Sequence, residues 1–218
     1  MSRRVGSARL MPAAAVVAAL SLALAATLIV SGPGKARTGS STAGSATTSA
    51  SGFDGAALPG RVPAPGFTLS DQSGASVSLS DYRGRVVVLT FLYSTCGATC
   101  VLIAQQIRGA LDELEAEHAR APAVLIVSAD PAADTRARVR GFLAEVSLTG
   151  RAEYLTGPPA SLRAVWRAYR VRPASDGRSV FDDYASVVLI DARGAERVLY
   201  QSEQLTPEAL SHDIGRLG

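Results

Sequence analysis

Cysteine is scarce in this chain: only Cys96 and Cys100 occur in 218 residues. The covalent choices reduce to one local disulfide or one pair of sulfur ligands. Methionine is equally scarce, and Met1 and Met11 both lie at the N-terminal end, so the rest of the chain has no thioether to join the thiols. Histidine occurs twice, at His118 and His212. Net charge is small as well. The formal value is +3, and Arg3, Arg4 and Arg9 are the only charges before residue 31, which leaves 19 basic against 19 acidic groups in the remainder. A balanced remainder excludes the basic, phosphate-tracking face that a nucleic-acid partner requires. There is no internal repeat. What is plentiful is apolar content, 47% against 19% charged, enough for one sizeable core.

The arginines precede Leu10–Val30, an uncharged run of 21 residues rich in Ala, Leu and Val. Its length matches the ~20 residues of a membrane-crossing helix and exceeds the core of a secretion signal. Positive charge before it predicts a cytoplasmic N-terminus, with the rest of the chain outside the cell membrane. Ala23-Leu24-Ala25 offers a cleavage site as the alternative to an anchor. No cysteine closes the run, so a lipid-linked anchor is excluded. Residues 1–31 are thus read as a leader and 32–60, mostly Ser, Thr, Gly and Ala, as a flexible tether. Residues 61–218 form the domain.

Within the domain, Phe67-Thr68-Leu69 and Val77-Ser78-Leu79 alternate about Asp71-Gln72-Ser73-Gly74, which predicts a β-hairpin. Val86–Leu92 is a continuous apolar run suited to a central strand. Ile103, Ile107, Ala110, Leu111 and Leu114 fall at helical spacing, so a helix follows to about His118. Ala123–Val127 predicts a second buried strand, and Val139, Phe142, Leu143 and Val146 the next helix. Tyr154-Leu155 is a short strand; Leu162, Val165, Trp166 and Tyr169 give another helix. Val187–Ile190 and Val198–Tyr200 flank Asp191-Ala192-Arg193-Gly194 as a second hairpin. Thr206-Pro207-Glu208 supplies an N-cap, a proline at the first helical position and an acid in the first turn. This order predicts an α/β fold with a mixed central sheet flanked by helices.

Cys96-Gly97-Ala98-Thr99-Cys100 falls where the buried strand gives way to a helix. Free N–H groups and the positive end of the helix dipole stabilise a thiolate there. Four-residue spacing brings two sulfurs within reach of a disulfide or of one metal ion. A purely structural staple is the alternative. So short a loop constrains the unfolded chain little, and position therefore favours a functional pair.

The strand–Tyr93-Ser94-Thr95-Cys96-x-x-x-Cys100–helix unit resembles the Sco (SenC-type) family. So do Asp81-x-x-Gly84, Val127-Ser128-Ala129-Asp130-Pro131-x-x-Asp134-Thr135 and Val188-Leu189-Ile190-Asp191-x-x-Gly194. The resemblance spans about residues 62–217 and includes the single N-terminal anchor. It implies a thioredoxin-like domain that binds copper and helps assemble the copper centre of cytochrome c oxidase, with thiol–disulfide chemistry as a second role. Its partner would be a cytochrome c oxidase subunit or another copper or thiol protein at the membrane surface.

The chain departs from that pattern at the third ligand. The family places a histidine just before the Val-Val-Leu-Ile-Asp strand. Counting back from Asp191 puts Asp183 there, or Tyr184 after a one-residue shift. His118 stands 18 residues beyond Cys100, roughly 27 Å along a helix, and His212 belongs to the last helix. Val101 replaces the family's proline. Two thiolates suit Cu(I), whereas Cu(II) favours the missing imidazole, and a hard carboxylate oxygen replaces it poorly. The metal-ligand expectation is therefore Cys96 and Cys100 holding Cu(I), with Asp183 at the third position. The competing expectation is a thiol–disulfide oxidoreductase in which Cys96 attacks and Cys100 resolves. No proline lies between Pro173 and Pro207 to sit beside such a dithiol, and a non-catalytic adaptor is the third possibility.

Overall fold

The computed structural model describes residues 51–172 and 186–218. Its strands are β1 (Ala56–Pro63), β2 (Thr68–Ser70), β3 (Ser76–Ser78), β4 (Val87–Leu92), β5 (Ala123–Ser128), β6 (Glu153–Leu155), β7 (Ser186–Ile190) and β8 (Ala195–Gln201). Its helices are α1 (Ala98–Ala116), α2 (Arg136–Glu145), α3 (Pro159–Ala168) and α4 (Pro207–Leu217). Strands β2 and β3 form the expected hairpin, and the other six form one sheet in the order β1-β8-β7-β4-β5-β6. The sheet is mixed: β4-β5 and β5-β6 are parallel, while β4-β7, β7-β8 and β1-β8 are antiparallel.

Every residue of β4 and β5 is buried. A continuous apolar strand is stable only when both faces are covered, which explains why these two runs contain no polar alternation. Thr90 is their exception inside β4, and its hydroxyl donates to the Ser186 carbonyl at 3.0 Å. Helices α1 and α4 pack together, joined by a hydrogen bond from Ser211 to Glu113. Thr206 caps α4 as expected, its side chain accepting from the Ala209 N–H.

Residues 56–60, read from the sequence as the last part of the tether, belong instead to β1, which begins at Ala56. Ala56 and Ala57 pair with Leu199 and Val198, the register then slips, and Val62 and Pro63 pair with Glu196 and Ala195. Pro59 lies inside the slip. A proline cannot donate to a ladder, so it is confined to edge strands and bulges, and β1 is the sheet's edge. Gly55 brings the chain against β8 so closely that a Cβ there would stand 2.5 Å from Val198. Asp213 of α4, wholly buried, accepts the N–H groups of Asp54 at 2.9 Å and Gly55 at 3.0 Å.

The stretch 10–30, expected to cross the membrane, lies outside the described residues. Among the described residues, no helix is long and apolar enough to span a bilayer.

The β7–β8 turn carries a pH-dependent contribution. Burial alone would raise the Asp191 carboxyl, but N–H bonds from Ala195 and Arg193 and the Arg197 guanidinium outweigh it and hold its pKa below the usual carboxylate value. A depressed carboxylate stabilises the fold fully above the unfolded pKa of about 3.9 and stops doing so as pH falls through the folded value. Asp191→Asn is expected to lower stability at neutral pH and to flatten the acid limb below about pH 4. Urea unfolding across pH 2–7 checks it; an acid limb as steep in the variant would refute the assignment.

Candidate functional site

Strand β4 ends at Leu92, and the chain turns through Tyr93–Cys96, closed by the Cys96 N–H donating to the Tyr93 carbonyl at 3.2 Å. Gly97 then serves as N-cap of α1 with φ 79° and ψ −144°. That conformation is open essentially to glycine alone. A Cβ would meet nothing within 4 Å, so the constraint is backbone geometry and not space. Gly97→Ala is expected to cost about 1–3 kcal/mol, read by urea unfolding of the reduced chain. A loss indistinguishable from zero would show that the turn does not depend on this glycine.

Cys96 and Cys100 are joined as a disulfide with their Cα atoms 5.9 Å apart. The pair is asymmetric: Cys100 is wholly buried, and Cys96 is half-buried at the surface. Cys100 occupies the third position of α1. The N–H groups of Ala98, Thr99 and Cys100 have no partner within the helix, and no side chain caps them. The first turn has no acid, and no charged side chain occurs between Ser94 and Ile107. When the disulfide opens, those N–H groups and the dipole are free to stabilise a thiolate. The rim is uncharged and partly apolar, with Leu102 46% exposed.

The loop before the cysteines is bolted down by a residue whose role the sequence did not disclose. Asp134, 7% exposed, follows β5 and precedes α2. Its carboxylate accepts the Ser94 N–H at 2.7 Å, the Ser128 hydroxyl at 2.6 Å and the Tyr154 hydroxyl at 2.7 Å. Tyr154 also lies 3.2 Å from the Leu92 carbonyl, and the Trp166 indole donates to the Ser128 carbonyl at 2.9 Å. Burial first, then the Asp134 charge, holds the Tyr154 phenol well above its ordinary pKa, so it stays a donor. The ends of β4, β5 and β6 are thereby locked around the pair. The clue in the sequence was Asp134's place in the Asp130-Pro131-x-x-Asp134-Thr135 motif, which did not say which groups it would reach.

Asp183 and Tyr184 lie outside the described residues. Neither histidine joins the sulfurs. His118 is exposed beyond the far end of α1 with φ 55°, and α1 is 19 residues long, roughly 28 Å. His212 is engaged on α4, its Nδ1 3.0 Å from both Asp54 and Asp213. What the described residues bring together is a two-sulfur site at the mouth of the sheet, where the C-terminal ends of parallel strands open.

A family model described as SCO1/SenC matches residues 59–217. Protein SenC of Rhodobacter capsulatus is 28% identical over 155 residues, 68% of this chain and 67% of the relative. ScoI of Bradyrhizobium japonicum, solved with copper bound, is 26% identical with a TM-score of 0.55, covering 72% of this chain and 99% of that one. BsSco, described as a cytochrome c oxidase assembly protein with a disulfide switch, has a TM-score of 0.60 at 21% identity, over 73% and 95% of the two chains.

Proposed function

Since this chain belongs to the SCO1/SenC family, we propose that it carries Cu(I) on Cys96 and Cys100 and delivers it to the copper centre of cytochrome c oxidase during assembly. The observation that carries the proposal is the placement of the pair: two sulfurs at a helix N-terminus, one reachable from solvent and one sealed into the core. The copper-bound ScoI and the place of BsSco among cytochrome c oxidase assembly proteins support it. Residues 10–30 hold the domain at the outer face of the cell membrane, and the tether, read as 32–60 and shortened by β1, lets it reach an oxidase subunit or another copper protein.

The residues fit Cu(I) by their chemistry. Two soft thiolates satisfy an ion that accepts low coordination numbers, and the exposed N–H groups of α1 offset the charge of the reduced pair. They do not suit Cu(II), since no imidazole of the described residues is beside them; Asp183 in the third position would add a hard oxygen. Copper is the cargo here. Closing the pair as a disulfide leaves neither sulfur a thiolate to give, so loading belongs to the reduced state.

The test is a competition between the full chain in detergent and a Cu(I) chelator, run with the pair reduced and with it oxidised. The reduced chain is expected to retain about one Cu(I) and the oxidised chain none. No retention by the reduced chain would end the copper reading.

The burial asymmetry favours one second reading, a thiol–disulfide oxidoreductase that no longer binds copper. Cys96 is placed to attack and Cys100 to resolve. A potential below about −300 mV, the range of structural disulfides, would count against it.

A further inference from the structure

Among the described residues, one buried side-chain polar atom has no hydrogen-bond partner: the hydroxyl oxygen of Ser94. It belongs to the turn that carries the cysteines, two residues before Cys96. Its backbone is not free to carry it elsewhere, because the Ser94 N–H is held by Asp134 at 2.7 Å. The neighbouring hydroxyl of Ser128 shows what satisfaction looks like, donating to the same carboxylate at 2.6 Å. A buried hydroxyl without a partner is costly, and native proteins keep few of them. The structure holds the pair as a disulfide, whose sulfurs are weak acceptors. A thiolate is a strong one.

We propose that Ser94 is a positioning residue for the redox state of the pair: its hydroxyl donates to the thiolate produced when the Cys96–Cys100 disulfide opens. With glutathione as reductant, a glutathione thiolate attacks the half-buried Cys96 sulfur, a Cys96–glutathione disulfide forms, and Cys100 leaves as thiolate. A second glutathione then attacks the outer sulfur, forming oxidised glutathione and freeing Cys96. Two glutathione thiols are oxidised to one disulfide; one of their protons ends on Cys96, the other is released to solvent, and Cys100 remains a thiolate. Cys100, wholly buried, must hold its charge through that sequence with the donors that surround it. Ser94 is orphaned in one state and partnered in the other, so it favours the dithiol twice over. It burdens the disulfide form and stabilises the reduced form.

The inference rests on the reading that the pair opens and closes in function, and the experiment separates the two. The metal-free full chain in detergent is equilibrated with glutathione buffers, and both redox forms are melted. Ser94→Ala is expected to shift the equilibrium about tenfold towards the disulfide, ~30 mV more negative. It is also expected to leave the disulfide form at least as stable as wild type while the dithiol form melts earlier. Ser128→Ala, which removes a hydroxyl satisfied in the structure, should lower both forms together. Opposite effects on the two forms are the signature that a structural role cannot produce. An equilibrium constant within twofold of wild type, or equal losses in both forms of Ser94→Ala, overturns the inference and leaves the functional reading standing. A wild-type pair that no glutathione ratio can open overturns both.

Discussion

Cys96→Ser and Cys100→Ser, each in the reduced full chain, are expected to weaken Cu(I) retention by more than ~100-fold, beyond the 10–100-fold that supporting residues around a metal control. Serine offers a hard, protonated oxygen where Cu(I) requires a soft anionic sulfur, and one remaining thiolate does not make a two-coordinate site. The two variants should differ in stability. Cys96 is half-buried, so serine there is expected to leave the reduced fold unchanged. Cys100 is sealed in the core, and a hydroxyl in its place costs about 1–3 kcal/mol without a partner. Both variants lose the disulfide, and with so short a loop that removes only about 2 kcal/mol from the oxidised chain on the chain-entropy argument. Chelator competition and urea unfolding on the same samples separate lost copper from lost fold. A Cys96→Ser chain that keeps wild-type affinity would show that the metal sits elsewhere.

Asp134→Ala carries the largest expected effect on the fold. It strands the Ser94 N–H and the hydroxyls of Ser128 and Tyr154 in a site 7% exposed. Unmaking buried hydrogen bonds leaves each donor with its desolvation cost, and three together amount to about 3–5 kcal/mol. For a domain of this size that lowers the melting temperature by roughly 10 °C or more. Asp134→Asn should lose less, since one oxygen remains for the Ser94 N–H while the amide turns donors towards the hydroxyls. The loss should appear in oxidised and reduced chain alike, because Asp134 is satisfied in the structure, unlike the Ser94 hydroxyl. Faster amide exchange at Ser94 would accompany it. A melting temperature within a degree or two of wild type would show that the carboxylate does not hold the loop.

These two predictions come from different depths of the sequence. The pair, its strand and its helix were readable because local signals agree: an apolar run at Val86–Leu92, two cysteines, then a 3.6-residue period from Ile103 to Leu114. The resemblance motifs fell on the same segments, and the fold followed. The edge strand β1 was not readable. Ala56, Ala57 and Pro59 carry no strand propensity, and the pairing of Ala56 and Ala57 is decided by β8 some 140 residues on, a tertiary effect that overrides local composition. The Asp134 lock escaped for the same reason. Its partners are 40, 6 and 20 residues away, and only the parallel stacking of β4, β5 and β6 brings their ends together. Asp213 carried no signal in the sequence, yet it anchors the chain just before β1 through the N–H groups of Asp54 and Gly55.

The central claim is a site made of two sulfurs and no imidazole. X-ray absorption at the copper edge of the reduced, Cu(I)-loaded full chain measures that directly. The expected spectrum shows two sulfur neighbours, with no outer-shell scattering from a histidine ring, and Cys96→Ser removes the bound copper. A histidine signature, or a copper spectrum unchanged by Cys96→Ser, would contradict the account.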